Sequence, residues 1–258
     1  MVDYIAGLAL KAGARVGGGY YDNVQIGKRP REGLVESIQR LESTPIITEL
    51  KFASPSAGKI REHGDPIRIA KAMLKGGACA ISVLTDPDDF QGNFDTLATL
   101  SREVDVPLVM KDIIVSPVQI RAAAKAGASA IVLISELFSR RLTEEPLDRL
   151  VREAGRLGLE VLLEANTPEE FRKLPKHKPD LYGVNNRNLS TFQLDLSTTE
   201  RVLTMNGHVD RPVVSESGIE NPRDIVRLKN AGAKAFLVGT SIMKSSAVES
   251  KVRELVNA

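Results

Sequence analysis

The chain has 258 residues, 42% hydrophobic and 26% charged, with 35 basic against 33 acidic side chains for a net charge of +2. That is an ordinary globular composition, and a chain of this length can bury about three quarters of its unfolded surface without a disulfide or metal. The charges are interspersed, with no polybasic run and no apolar stretch of roughly 18 residues, so nothing signals nucleic acid, a membrane surface or a spanning helix.

Residues 1–44 read as an N-terminal extension. Met1–Arg15 is apolar in places but carries Asp3, Lys11 and Arg15, and it lacks the charged start, long apolar run and cleavage site of a signal peptide. Gly17-Gly18-Gly19-Tyr20-Tyr21 is expected as a flexible connection and Leu34–Glu42 as a helix. From residue 45 onward, eight short apolar runs of strand length recur with helical patterns between them: Pro45–Leu50, Ala78–Leu84, Pro107–Lys111, Ala130–Ile134, Glu160–Glu164, Leu181–Asn185, Pro212–Glu216 and Ala235–Val238. They are continuous rather than alternating, as parallel strands covered on both faces should be. Glycines in Gly76-Gly77-Ala78, Ala126-Gly127-Ala128, Leu157-Gly158 and Ala231-Gly232-Ala233 suit the turn from a helix into the next strand. Helix starts are marked by Asp65-Pro66, Ser116-Pro117, Thr167-Pro168 and Asn221-Pro222, each a capping side chain before a proline at the first helical position.

Eight strand–helix units point to one closed (β/α)8 TIM barrel over residues 45–258, with an open doubly wound sheet as the alternative. No GxGxxG follows the first strand, which weighs against the dinucleotide-binding version of that alternative. Residues 1–44 would then pack on the barrel, partly over its mouth. Cys79 is the only cysteine, so no intrachain disulfide can form, and a reducing cytoplasm is the expected compartment. His63, His177 and His208 are scattered, without metal-ligand spacing, so no metal is expected.

Catalytic groups of such barrels come from the C-terminal ends of the strands. Strand one ends Glu49-Leu50-Lys51, with Ser54-Pro55-Ser56 in its loop; strand three ends Lys111-Asp112, strand five Glu164-Ala165-Asn166, strand six Asn185-Asn186-Arg187 and strand seven Glu216-Ser217-Gly218. The two-residue period of a strand puts Glu49 and Lys51 on the same side, able to face the interior. Any one of these residues could be a solvated loop residue or a structural ion pair; five strand ends carrying charge or amide after apolar runs form a pattern. Ser217-Gly218, with Gly239-Thr240-Ser241 before the short helical stretch Ile242–Lys244, suggest a phosphate site at strands seven and eight.

At these residues the sequence resembles the indole-3-glycerol-phosphate synthase family. The resemblance runs through Ile47-Thr48-Glu49-Leu50-Lys51, Ser82-Val83-Leu84-Thr85-Asp86, Phe90-Gln91-Gly92, Pro107-Leu108-Val109-Met110-Lys111-Asp112, Leu163-Glu164, Gly183-Val184-Asn185-Asn186-Arg187-Asn188-Leu189, Ser215-Glu216-Ser217-Gly218-Ile219 and Phe236-Leu237-Val238-Gly239-Thr240-Ser241-Ile242-Met243. It implies closure of the indole ring of 1-(2-carboxyphenylamino)-1-deoxyribulose 5-phosphate, with loss of carbon dioxide and water, in tryptophan biosynthesis. On that resemblance Lys111 is the cationic acid at the ketone oxygen, and Lys51, Glu49 and Glu164 supply a second proton donor and a base, with the base left open between the carboxylates. Asn185 and Glu216, with Ser217 beside them, would hold the ribulose hydroxyls. Arg187 and Ser54 would attend the anthranilate carboxylate, and Leu84, Ile113, Leu133 and Leu189 would wall the aromatic ring. Gly218, Gly239 and Thr240 would hold the phosphate. No cofactor is implied. The expected partner is the small phosphorylated substrate, for a chain acting as a monomer, with other tryptophan-pathway enzymes as further candidates.

Two positions depart from the family pattern: Phe52 where a basic residue is usual, and Ile113 where phenylalanine is usual. Both bear on substrate affinity; neither removes a proton-transfer group. Phosphoribosylanthranilate isomerase, a rival on the same fold, places a Cys/Asp pair at strands one and six, where this chain has Glu49/Lys51 and Asn185. Cys79 lies at the opposite end and reads as core. A barrel without catalysis, serving assembly only, would have lost a lysine or a glutamate from this set, and none is missing.

Overall fold

The computed structural model describes residues 3–55, 58–62, 64–207 and 209–258; Met1, Ser56, His63 and His208, drawn on above, lie outside them. Eight parallel strands close into a barrel: β1 (Ile46–Leu50), β2 (Ala80–Leu84), β3 (Leu108–Lys111), β4 (Ala130–Ile134), β5 (Glu160–Ala165), β6 (Leu181–Asn185), β7 (Val213–Glu216) and β8 (Ala235–Val238). The ring is sealed where β1 pairs with β8, Ile47 beside Leu237, so the open-sheet alternative falls. Each strand lies within two residues of the apolar run that announced it. The proline-opened runs begin one residue later, since proline brings no N–H to a ladder.

The helix signals act as read. Asp65, Ser116, Thr167 and Asn221 each cap a helix that begins with the following proline, and Ser116 and Asn221 complete reciprocal capping boxes. The turn glycines Gly77, Gly127, Gly158 and Gly232 all have positive φ.

The N-terminal extension contains two helices, α1 (Tyr4–Gly17) and α2 (Leu34–Arg40). The second answers the expected helix Leu34–Glu42, two residues shorter. It seals the bottom of the barrel, where Leu34 and Ile38 pack with Ile47, Val109, Leu162, Val214 and Cys79. Cys79 is buried there, its thiol donating to the carbonyl of Ile46. The first helix sits at the other end. Ile5, Leu8, Ala9 and Ala12 pack with Ile113, Val115 and Leu137. The glycine-rich segment between the helices is not the flexible connection expected of it. Tyr21 is buried against Phe94, its hydroxyl donating to Asp112, and the Tyr20 hydroxyl donates to the carbonyl of Thr85. Two aromatic anchors outweigh the freedom of three glycines.

Candidate active site

A cavity of about 520 Å³ opens at the C-terminal ends of the strands. Glu49, Lys51, Ser54, Leu84, Lys111, Ile113, Glu164, Asn185, Arg187, Leu189, Ser217, Gly218, Gly239 and Thr240 all line it. One sequence is thus brought to one place from seven strand ends and their loops. Glu49 and Lys51 do share the inner side of β1, joined as an ion pair at 2.5 Å.

Lys111, at the end of β3, lies between two carboxylates, 2.6 Å from Glu216 and 3.5 Å from Glu164. Asn185 donates from its side-chain amide to the other Glu164 oxygen at 2.8 Å and accepts the backbone N–H of Arg187 at 2.9 Å. Behind this layer, the Asn186 side chain donates to the carbonyls of Glu216 and Ser217 and accepts from Thr199, locking the ends of β6 and β7 together. Ser217 itself has φ 69°, a left-handed conformation that costs a non-glycine residue about 1–3 kcal/mol and persists only when the surroundings enforce it.

The charges perturb one another. Burial works against the Lys111 ammonium, but Glu216, Glu164 and Glu49 outweigh it and hold the amine far above the ordinary lysine range. Burial pushes the Glu216 carboxyl up to about 7, against the pull of Lys111 and with the help of Glu164. Glu49 goes the other way: burial raises it, but Lys51 and Lys111 prevail and keep it below the usual carboxylate range. Buried carboxylates with values driven apart are the mark of a site built for proton transfer.

Two expectations need correction. Leu133 does not face the cavity; it packs in the outer core while its neighbours Val132 and Ile134 line the cavity wall. A continuous apolar strand gives no alternation from which inward could be told from outward. Glu216 is fully buried and does not line the cavity, so its oxygen reaches Lys111 rather than a ligand hydroxyl. Glu216 Oε1 lies close to Gly183, where a Cβ would approach it to 2.7 Å, and finds no hydrogen-bond partner among the described residues. Gly239 is also tightly placed. A Cβ there would come within 2.4 Å of a Glu49 carboxylate oxygen, so this glycine makes room for Glu49 whatever else its backbone does.

Other lining residues were given no role by the sequence. Tyr4 and Leu8 of α1 form part of the wall, as do Asp86, Phe90, Phe192 and Leu194. Tyr4 stacks edge-to-face on Phe192 at 4.6 Å, joining the extension to the loop after β6. Of the two departures, Ile113 is a cavity wall packed against α1, and Phe52 is core at the base of the loop after β1. Among the described residues no group of three or more metal-ligating side chains gathers, and no helix is long and apolar enough to cross a membrane.

Lysines and carboxylates converging at the C-terminal mouth of a closed parallel barrel define a (β/α)8-barrel enzyme of acid–base chemistry. The family model described as indole-3-glycerol phosphate synthase matches residues 20–255. The chain is 44% identical over 208 residues to an indole-3-glycerol phosphate synthase of Rhodopirellula baltica, covering 81% of this chain and 78% of that one. It is 41% identical to one of Bacillus cereus, over 86% of this chain and 85% of the other. The chain belongs to the indole-3-glycerol phosphate synthase family. Among solved structures, a thiamine phosphate pyrophosphorylase of Pyrococcus furiosus superposes with a TM-score of 0.61 at 18% identity, over 84% of this chain and 95% of that one. An N-acetylmannosamine-6-phosphate 2-epimerase of Clostridium perfringens does so with a TM-score of 0.60 at 16% identity, over 83% of this chain and 93% of that one. These last two likenesses concern the fold alone.

Proposed function

We propose that the cavity closes the indole ring as an indole-3-glycerol phosphate synthase, a carboxy-lyase of tryptophan biosynthesis. 1-(2-Carboxyphenylamino)-1-deoxyribulose 5-phosphate enters; indole-3-glycerol phosphate, carbon dioxide and water leave. The observation that carries the reading is Lys111, an ammonium between Glu164 and Glu216 that also faces the cavity.

The ring carbon bearing the carboxylate attacks the ketone carbon, and negative charge develops on the ketone oxygen. Lys111, held as a cation by its carboxylates, sits to stabilise that oxygen and give it a proton. Breakage of the bond to the carboxylate then releases carbon dioxide and returns its electrons to the ring. The new hydroxyl leaves as water, which needs one donor and one base. Lys51 is the donor, oriented by its ion pair with Glu49 at 2.5 Å. Glu164 is the better base of the two carboxylates, because Glu49 is paired and depressed while Glu164 faces the cavity, held by the neutral Asn185 amide and by a more distant contact to Lys111.

Asn185 and Ser217 would hold the ribulose hydroxyls, and Arg187 with Ser54 the anthranilate carboxylate. Leu84, Ile113 and Leu189 would wall the ring. For the phosphate, Gly218, Gly239 and Thr240 offer backbone N–H groups at the mouth of β7 and β8. Ser241 ties the two loops by donating to the carbonyl of Ile219 at 2.9 Å. The chain would work as a cytoplasmic monomer on this small phosphorylated substrate, without a cofactor. Purified protein given the carboxyphenylamino ribulose phosphate should develop indole fluorescence at a saturable rate; no turnover by folded protein would overturn the assignment.

A further inference from the structure

α1 reaches the barrel from outside the segment matched by the family model, which begins at residue 20, and its last turn carries a side chain of unusual commitment. Arg15 is buried, with 7% of its side chain exposed, and its guanidinium meets three carboxylates: Asp86 at 2.8 Å, Asp88 at 2.5 Å and Asp112 at 3.3 Å. Asp86 follows β2 and Asp112 follows Lys111 at the end of β3. Asp112 is itself held by the hydroxyls of Thr85 at 2.6 Å and Tyr21 at 2.8 Å, so the network has no slack. Burial and Asp86 push its carboxyl up to about 6, even with Arg15 opposing.

Arg15 does not line the cavity, but Asp86 and Asp112 do, and so do Tyr4 and Leu8, about three and two turns back along α1. Leu8 packs in the same cluster as Ile113, with Leu189 against it. α1 therefore adds Tyr4 and Leu8 to the barrel residues Leu84, Ile113 and Leu189 proposed to face the aromatic ring. Beyond Tyr4 on Phe192, Lys11 adds an exposed ion pair with Asp89 and Arg140 one with Asp3, both of little weight. A planar fork of five donors can span carboxylates that lie apart in a fixed geometry, which a compact ammonium does not reproduce.

We infer that Arg15 is a positioning residue for ring closure: by tying α1 to the carboxylates that end β2 and β3, it holds Tyr4 and Leu8 as the outer wall of the aromatic-ring site. It rests on the cavity being the active site, which Lys111→Ala tests independently. Arg15 touches neither lysine, so the chemistry should survive its loss while binding does not.

Arg15→Lys and Arg15→Met should each raise KM about tenfold, the scale of one apolar pocket contact, with kcat per folded molecule little changed. Leu8→Ala should raise KM in the parent but add little in the Arg15→Lys protein, because a wall already displaced cannot be removed again. A purely architectural arginine would behave oppositely: fewer active molecules, hence lower apparent kcat at unchanged KM. That result, unchanged KM in both variants, or strictly additive KM effects with Leu8→Ala would overturn the inference. If Arg15→Met does not fold, Arg15→Lys and its double variant decide. Lys111→Ala inactive with KM unmoved at Arg15 would sink this inference alone; Lys111→Ala active would sink the reading of the cavity.

Discussion

At the bottom of the barrel, half-buried charge is committed to backbone. Arg29 donates to the carbonyls of Ala128 at 2.9 Å, Leu157 at 3.0 Å and Gly158 at 2.9 Å, and Glu160 accepts the N–H groups of Leu34 and Val35 at the start of α2. At the mouth, buried charge is committed to other charge. Lys111 meets Glu164 and Glu216, Lys51 meets Glu49, and all but Glu216 open onto the cavity. The same residue types serve different ends. A guanidinium engaged with three fixed carbonyls is anchored to the backbone, whereas an ammonium between carboxylates can exchange one partner for a substrate oxygen.

The sharpest way to break this contrast is Lys111→Ala. A general acid is worth ~10²–10⁴-fold, and kcat should fall by at least that much. The fold should persist, because the three carboxylates left behind can take up protons. Steady-state rates with a denaturation curve check it; more than about a tenth of parental kcat would return Lys111 to the class of structural ion pairs.

Gly239 offers the next largest effect. An alanine Cβ would meet Glu49 and move the Glu49–Lys51 pair. A misplacement of about 1 Å in a catalytic constellation can cost ~10²-fold, so Gly239→Ala should lower kcat on that scale. Alanine keeps the backbone N–H, so competition by inorganic phosphate should persist. Intact kcat with a raised KM and lost phosphate competition would assign this glycine to the phosphate alone.

How much of this contrast the sequence carried depends on the residue. The strands were legible because each is a short apolar run that ends in a polar loop, four of them entered from a turn glycine. The lysines and glutamates were legible because they end those runs on one side of the barrel. Leu133 was not, since β4 is apolar throughout. α1 was missed because Gly7, Gly13 and Gly17 weaken helix propensity along a segment without a long apolar stripe. The partnership of Arg15 with Asp112, 97 residues away, exists only in the folded chain. Gly239 read as an anion-binding turn because the approach of Glu49 from β1 leaves no trace in local sequence.

A smaller effect separates mouth from bottom by pH. Glu216 is raised to about 7 from an ordinary 4.5. A carboxyl with a raised folded pKa binds its proton more tightly in the native state. Its contribution to stability is present below about pH 4.5 and is lost as pH rises through about 7. Glu216→Gln should therefore flatten the dependence of stability on pH across that window, measured as denaturant midpoints at about pH 5 and about pH 8. Asp112, raised to about 6, contributes its own slope to both proteins and cancels in the difference. Parallel curves for parent and variant would mean that Glu216 is ionised throughout.

The smallest effect on turnover should come from Arg29, and the contrast requires it to be none. Arg29→Ala deletes three hydrogen bonds from a charged donor to carbonyls at the turns before β4 and β5. Hydrogen bonds to charged groups contribute about 1.5–3 kcal/mol, but these carbonyls lie at the edge of the fold and water can replace part of the loss. A destabilisation of about 1–3 kcal/mol is the expected outcome, read as a shift in denaturant midpoint at constant slope. Below the unfolding transition, kcat and KM should equal those of the parent, since Arg29 reaches no residue that lines the cavity. Arg15, more deeply buried and paired with carboxylates at the other end, should shift KM. If Arg29→Ala also changed KM, the two ends would be mechanically coupled through the extension, and commitment to backbone would no longer distinguish a structural charge from one that shapes the site.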